Sequence, residues 1–316
     1  METERKSMLV EGDLPNVRAR YLALRALPAL QLLEPEALLP LAESSSFARF
    51  RAGSWIAREG EPLPAVYIIV EGRVEVRIDT ELGEDGESAR DTGRLVADPA
   101  RTVGFVSVLG QDPRGVSAYA HTDVLAMSAP SDVVLDLYES SFALLRNALR
   151  NAARAALEAR RQLPPPIDPD EKIGEPPSRP LTFVEKILLN RETPLFAGAP
   201  IDAVADLAAA TEEVRLKAGD LLFELGARAD FSFRIHHGRV RCIAERGDSV
   251  VVGPGMVLGG LDVAAMLPRS YTAEALTEVV GFRIRSEDFF GMLERHPQLG
   301  MKLLSLFSRQ IIDAAA

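Results

Sequence analysis

The chain has 316 residues, 47% of them hydrophobic and 26% charged, with a formal net charge of −10 and a single cysteine, Cys242. That length fits two cores of ordinary domain size, and one cysteine excludes a disulfide framework. No apolar run reaches the roughly 18–20 residues of a membrane helix, and the acidic balance argues against a duplex-binding protein, which needs a basic footprint on phosphate.

Residues 1–19 read as a charged N-terminal tail without the apolar core of a signal peptide, so a cytoplasmic location is expected. Pro35-Glu36-Ala37-Leu38-Leu39 opens a short helix. Arg51-Ala52-Gly53 and Gly60 punctuate the first strands, and the alternating runs 65–70 and 73–78 straddle Glu71-Gly72 as a hairpin would. Glu81 to Arg90 is acidic and contains glycine, the composition of a surface loop. From Gly104 to Ser117 the chain reads as a glycine at a strand end, a short helical turn, then Pro113-Arg114 entering another strand. Ser131-Asp132 resembles a helix N-cap, and apolar residues at Leu145, Leu149, Ala152 and Ala156 carry a helical period to about Gln162. Residues 163–180 hold Pro164-Pro165-Pro166, Pro169, Pro176-Pro177 and Pro180, which makes an extended, semi-rigid linker.

Beyond the linker the same landmarks return. Gly53, Gly60 and Gly72 recur as Gly219, Gly226 and Gly238, and Pro28 as Pro194, each 166 residues later. Gly104, Pro113-Arg114, Thr122 and Ser131 recur as Gly259, Pro268-Arg269, Thr277 and Ser286, each 155 residues later. The first copy therefore carries 11 extra residues, which fall on the loop at 81–90. Ile201-Asp202-Ala203-Val204 repeats the early helix, and Leu299, Leu303, Leu306 and Ile311 form a closing apolar stripe. The stripes admit two readings, packing within the chain or a homodimer through the C-terminal helices. The expected fold class is α+β: two cupin-like antiparallel β-barrel (jelly-roll) domains, 20–162 and 181–316, each flanked by helices and joined by the linker 163–180.

The two glycine-to-arginine segments read physically as phosphate cradles, with free N–H groups at a helix start and a guanidinium fork for the oxygens. In each, arginine follows glycine by ten residues, Gly104 to Arg114 and Gly259 to Arg269. Together with the barrel glycines, this resembles the cyclic nucleotide-binding domain family, as found in the regulatory subunits of cAMP-dependent protein kinase and in the sensor domains of catabolite activator-type proteins. The resemblance covers nearly the whole chain from about residue 20. It implies a barrel that holds cAMP or cGMP and a C-terminal helix that moves on binding.

The resemblance places pocket A at Gly104, Phe105, Val106, Ser107, Arg114, Gly115 and Ser117, and pocket B at Gly259, Gly260, Leu261, Asp262, Arg269, Ser270 and Thr272. Arg114 and Arg269 match the arginine that clamps the cyclic phosphate. The family glutamate that accepts the ribose 2′-hydroxyl matches Phe105 in one copy and Gly260 in the other, and neither can accept that bond. Losing a charged hydrogen bond of roughly 1.5–3 kcal/mol weakens binding about 10- to 100-fold. Phe105 is placed to fill the ribose space. Asp262 would repel a phosphate or pair with Arg269 and plug the site, whereas copy A has Ser107 there.

The expected function is a non-enzymatic regulator acting through a protein partner, with cyclic nucleotide binding weakened, altered or lost; the alternative is a cAMP- or cGMP-responsive regulator with at least one working pocket. No nucleophilic triad, P-loop or metal-ligand spacing stands out, so no metal, cofactor or catalytic residue is expected. The given sequence ends soon after its last helical stripe, so the DNA-binding helices of the catabolite activator group are not expected.

Overall fold

The computed structural model describes residues 16–27, 30–31, 33–58, 60–77, 95–97, 102–110, 117–159, 163–168 and 173–315. The chain forms two compact units: Met1–Ala148 with Leu304–Ala316, and Leu149–Leu303.

Unit 1 begins with α1 (Val17–Arg25) and α2 (Pro35–Ser44), the latter starting on proline, whose fixed φ suits a first helical position. The strands follow: β1 (Ser46–Phe50), β2 (Trp55–Ala57), β3 (Ala65–Glu71), β4 (Val74–Arg77), β5 (Leu95–Ala97) and β6 (Thr102–Val103). Then come α3 (Phe105–Gly110), β7 (Ser117–Ala120), β8 (Val124–Pro130), α4 (Ser131–Ser140) and α5 (Phe142–Ala159), which passes into unit 2 after Ala148. The strands form two four-stranded antiparallel sheets, β1-β8-β3-β6 and β2-β7-β4-β5.

Unit 2 holds α6 (Phe183–Arg191), α7 (Ile201–Ala210), β9 (Glu212–Leu216), β10 (Leu221–Phe223), β11 (Phe231–His237), β12 (Val240–Ala244), β13 (Ser249–Val252) and β14 (Val257–Leu258). α8 (Gly260–Ala265), β15 (Tyr271–Ala275), β16 (Val279–Arg285), α9 (Ser286–Arg295) and α10 (Pro297–Ala315) complete it, the last passing into unit 1 after Leu303. Its sheets, β9-β16-β11-β14 and β10-β15-β12-β13, repeat the order of unit 1 strand for strand.

The strands alternate because one face of each sheet is apolar and meets the other sheet. Ile69, Val74, Val103, Ala118, Ala120 and Val124 are buried in the first core. Their counterparts at the two repeat offsets, Ile235, Val240, Leu258, Ala273, Ala275 and Val279, are buried in the second. The double-sheet jelly roll expected from the repeat is what forms, twice.

Three local expectations change. Gly72 and Gly238 do not close hairpins: β3 pairs with β6 and β8, while β4 pairs with β5 and β7, so the chain changes sheets at the glycine. Alternation on both sides of a glycine is common to a hairpin and to a sheet crossing. At Gly72, φ is +91°, and a Cβ would lie 2.3 Å from the Asp123 carbonyl oxygen; at Gly238 the corresponding values are +93° and 2.2 Å from Glu278. Only glycine fits there. Ser131 is the first helical residue and not a cap: its hydroxyl donates to the Leu63 carbonyl at 2.9 Å. The helix expected to run to about Gln162 breaks at Ser141, where the backbone is extended.

The stripe residues Leu145, Leu149, Ala156, Leu299 and Leu303 are buried within the single chain, and Leu306 and Ile311 are half-buried. α6, which the proline-rich surroundings hid, starts on a capping box in which Thr182 and Glu185 exchange hydrogen bonds. No described helix is long and apolar enough to cross a membrane.

Candidate functional site

In unit 2 the second glycine-to-arginine segment runs from the end of β14 through α8 to β15. Gly259 has φ +66°, which turns the chain from strand into α8, and its N–H donates to the Tyr271 hydroxyl at 2.9 Å. Arg269 is held on both sides of its backbone: its N–H donates to the Ala227 carbonyl and its carbonyl accepts from Gly226 N–H, each at 2.9 Å. Its side chain therefore enters the interior, where it is 1% exposed.

There the two terminal guanidinium nitrogens donate to backbone carbonyls of the protein itself. Nη2 donates to the Phe231 carbonyl at 2.6 Å and Nη1 to the Gly259 carbonyl at 3.3 Å. The guanidinium carbon lies 4.2 Å from the centre of the Phe223 ring and 4.5 Å from that of Phe231, a double cation–π contact. A Cβ on Gly259 would stand 1.9 Å from Nη1, so the glycine serves both the turn and the arginine. Burial pulls the Arg269 pKa down from its ordinary value, with the nearby Asp262 carboxylate opposing that shift.

Asp262, also 1% exposed, makes no ion pair with Arg269 among the salt bridges of the described residues. Its Oδ1 accepts from the Ser270 N–H at 3.3 Å, while Oδ2 and the Arg269 Nε are buried without a hydrogen-bond partner. Burial raises the Asp262 pKa, with the Ser270 hydrogen bond and the Arg269 charge opposing it. The plug is thus aromatic and backbone, and the carboxylate stands beside it. Gly260 and Leu261 form the first turn of α8, and the Thr272 hydroxyl on β15 accepts from Leu225 N–H at 3.0 Å, away from the guanidinium bonds.

In unit 1 the corresponding segment has Gly104 at φ +88°, where a Cβ would meet Leu63 Cδ1 at 2.8 Å. Phe105 starts α3 and packs edge-on against Tyr138 of α4, with ring centres 5.6 Å apart. Its ring is engaged by the helix that follows the barrel. Val106 follows on α3, and Ser117 is buried at the start of β7. The Ser107 hydroxyl is buried without a partner, at the position where the other copy leaves Asp262 Oδ2 unpaired. Arg114 and Gly115 lie outside the described residues.

Sequence reasoning missed the residues that decide pocket B. Strand register pairs Ala57 with Ala118 and Phe223 with Ala273, and Ala65 with Pro130 and Phe231 with Arg285. Each pair of positions sits at the repeat offsets, so the two rings on Arg269 correspond to Ala57 and Ala65. Tyr271, 155 residues after Val116, adds a third aromatic on the copy B side alone. The signal was available: aligning the whole barrel in phase, and not only its cassette, exposes three alanine- or valine-to-aromatic changes.

The ends of the two cassette helices are also tied. In unit 1 the Gly110 carbonyl accepts from Ser305 Oγ at 2.9 Å and Arg309 Nε at 3.3 Å. In unit 2 the Ala265 carbonyl accepts from Arg154 Nε at 3.2 Å. These cations sit at helix C-termini, where the backbone dipole favours positive charge. Gly110 and Ala265, and Arg154 and Arg309, are each 155 residues apart.

Residues 47–141 and 213–296, together more than half of the chain, match the family described as Cyclic nucleotide-binding domain. Over 128 residues the chain is 30% identical to a CRP-like cAMP-activated global transcriptional regulator of Mycobacterium tuberculosis, covering 39% of this chain and 54% of that protein. Over 122 residues it is 30% identical to an uncharacterized NTE family protein of Mycobacterium bovis, covering 38% of this chain; the match spans only 21% of that relative's length. Among solved structures it is similar to the regulatory subunit of a cAMP-independent protein kinase A from Trypanosoma brucei, at 15% identity, a TM-score of 0.33 and coverage of 92% of each chain.

Proposed function

Because the chain belongs to the cyclic nucleotide-binding domain family, we propose that it is a non-enzymatic, cytoplasmic regulatory protein that acts through a protein partner, with pocket B closed and pocket A as its ligand site. The observation that carries this reading is the contact of the buried Arg269 guanidinium with both the Phe223 and the Phe231 ring, against Ala57 and Ala65 in the other copy. An anion entering pocket B would have to displace two hydrogen bonds from a charged donor and two cation–π contacts, roughly 4–10 kcal/mol of interactions. A phosphate returns a similar amount at best, so it gains little by entering.

Where copy B has Phe223 and Phe231, copy A has Ala57 and Ala65, and Arg114 matches the clamp arginine in the sequence of its cassette. With Phe105 in place of the family glutamate, a ligand there is recognised through its phosphate and its base or other apolar part, without the ribose hydroxyl bond. A phosphate-bearing ligand indifferent to a 2′-hydroxyl follows, and cAMP and cGMP bind weakly.

Calorimetry with cAMP, cGMP, their 2′-deoxy analogues and cyclic dinucleotides tests this. The expected result is one site per chain, abolished by Arg114→Ala, retained in Arg269→Lys, and changed less than threefold by removal of the 2′-hydroxyl. Two sites per chain, or binding lost only in the Arg269 variant, would overturn it.

A further inference from the structure

The linker is part of the second sheet system. β13 is the outer strand of β10-β15-β12-β13, bonded on one side to β12. On its other side Ile167 N–H donates to the Val251 carbonyl at 2.9 Å. Leu163, four residues earlier, packs half-buried against the core of the same jelly roll. The three prolines between them have no N–H to give, so Ile167 carries the first backbone donor after Leu163. The same prolines hold the segment extended, which lowers the entropy lost on docking.

The strand edge is shaped for this occupant. A Cβ on Gly253 would lie 2.1 Å from Ile167 Cδ1. Gly253 is buried and has no positive φ, so its glycine is needed for space and not for backbone conformation. The first copy has aspartate, Asp98, at the equivalent sequence position 155 residues earlier, outside the described residues. Further along, Arg215 Nη2 donates to the Pro177 carbonyl at 3.0 Å and Leu181 N–H to Glu213 Oε2 at 2.9 Å, which fixes the far end of the linker on β9.

We infer that the β13 edge with its Gly253 notch is a strand-addition site for an extended peptide with apolar residues four apart around prolines, and that the chain fills it in cis with Leu163–Ile167. An open sheet edge is a template for such pairing. The cis occupant is held there by the Ile167 backbone hydrogen bond and two half-buried side chains, so a partner segment of the same pattern competes with it. This inference is independent of whether either pocket binds a nucleotide.

The test uses the full chain carrying Leu163→Asp and Ile167→Asp together, which releases the linker, and a fluorescein-labelled peptide with the sequence of residues 161–170. Anisotropy should show saturable binding to the released chain at least tenfold tighter than to the unaltered one. Adding Gly253→Val to the released chain, or Ile167→Asp to the peptide, should remove it. No binding to a released chain that still unfolds cooperatively overturns the inference, as does equal binding by both chains. If the released chain does not fold, hydrogen exchange on the unaltered chain decides: excess unlabelled peptide should speed exchange of the Ile167 amide at least tenfold, and an unchanged rate counts against the site.

Discussion

The two copies share every core position compared above and differ in what fills the space beneath the cassette. Unit 2 sets its arginine against the rings of Phe223 and Phe231 and gives its guanidinium to two carbonyls. Unit 1 has alanine at both ring positions. On the proposed reading, a pocket in this fold is closed without touching its signature arginine, by larger residues on strands that only border it. The lesson is that a matching clamp residue says where a site lies, while the neighbours across the sheet say whether it is open.

Breaking the closed pocket should have the largest effect. Phe223→Ala removes a buried ring and one of the two cation–π contacts of Arg269, and should cost about 3–5 kcal/mol of stability in urea unfolding. The paired change on the other side, Ala57→Phe with Ala65→Phe, should abolish ligand binding by pocket A in calorimetry. If binding survives both rings, the comparison between the copies is wrong.

The cassette glycines sharpen the contrast more gently. Gly259→Ala places a methyl group on Nη1 of a fully packed arginine at positive φ, and should cost about 2–3 kcal/mol. Gly104→Ala has the same backbone strain but meets only the end of a leucine side chain, so about 1–2 kcal/mol is expected. Thermal unfolding of the two variants should preserve that order.

The smallest effect is electrostatic. Burial raises the Asp262 pKa in the folded state, so the folded protein holds a proton on this group to higher pH than the unfolded chain does. Its contribution thus falls as pH rises from about 4, the unfolded carboxylate value, through the raised folded value. Asp262→Ser, the residue of the other copy, should flatten that part of the pH–stability curve and raise stability at pH 7. A steeper curve would mean that the Arg269 charge dominates this carboxylate.

Much of this was legible in the chain. Gly72 and Gly238 marked the right places because their positive φ and close backbone approach tolerate no side chain, yet their neighbours could not say which strand each run would pair with. A sheet crossing and a hairpin look alike over ten residues, since the partner strands, β8 and β7, lie some fifty residues away. The cassette positions were legible from spacing alone. Asp262 is the plug that the sequence suggests for pocket B; the ring contacts of Arg269 are not legible there, because Phe223, Phe231 and Tyr271 look like ordinary core aromatics until their counterparts are set beside them. The contact of Phe105 with Tyr138, 33 residues further on, depends on tertiary packing that no local pattern encodes.

The hydrogen bonds from Ser305 and Arg309 to Gly110 bear on how the protein is made. Unit 1 is nearly complete in sequence at Ala148, but its closing segment begins only at Leu304. At roughly 5–20 residues per second, the ribosome needs on the order of 10–30 s to deliver it. Through that interval the first jelly roll waits with the carbonyl end of α3 untied, while the linker and the whole second sandwich are translated. The protein finishes its first half last, and a nascent chain arrested near residue 300 should expose the Gly110 end of α3 to hydrogen exchange that the released protein resists.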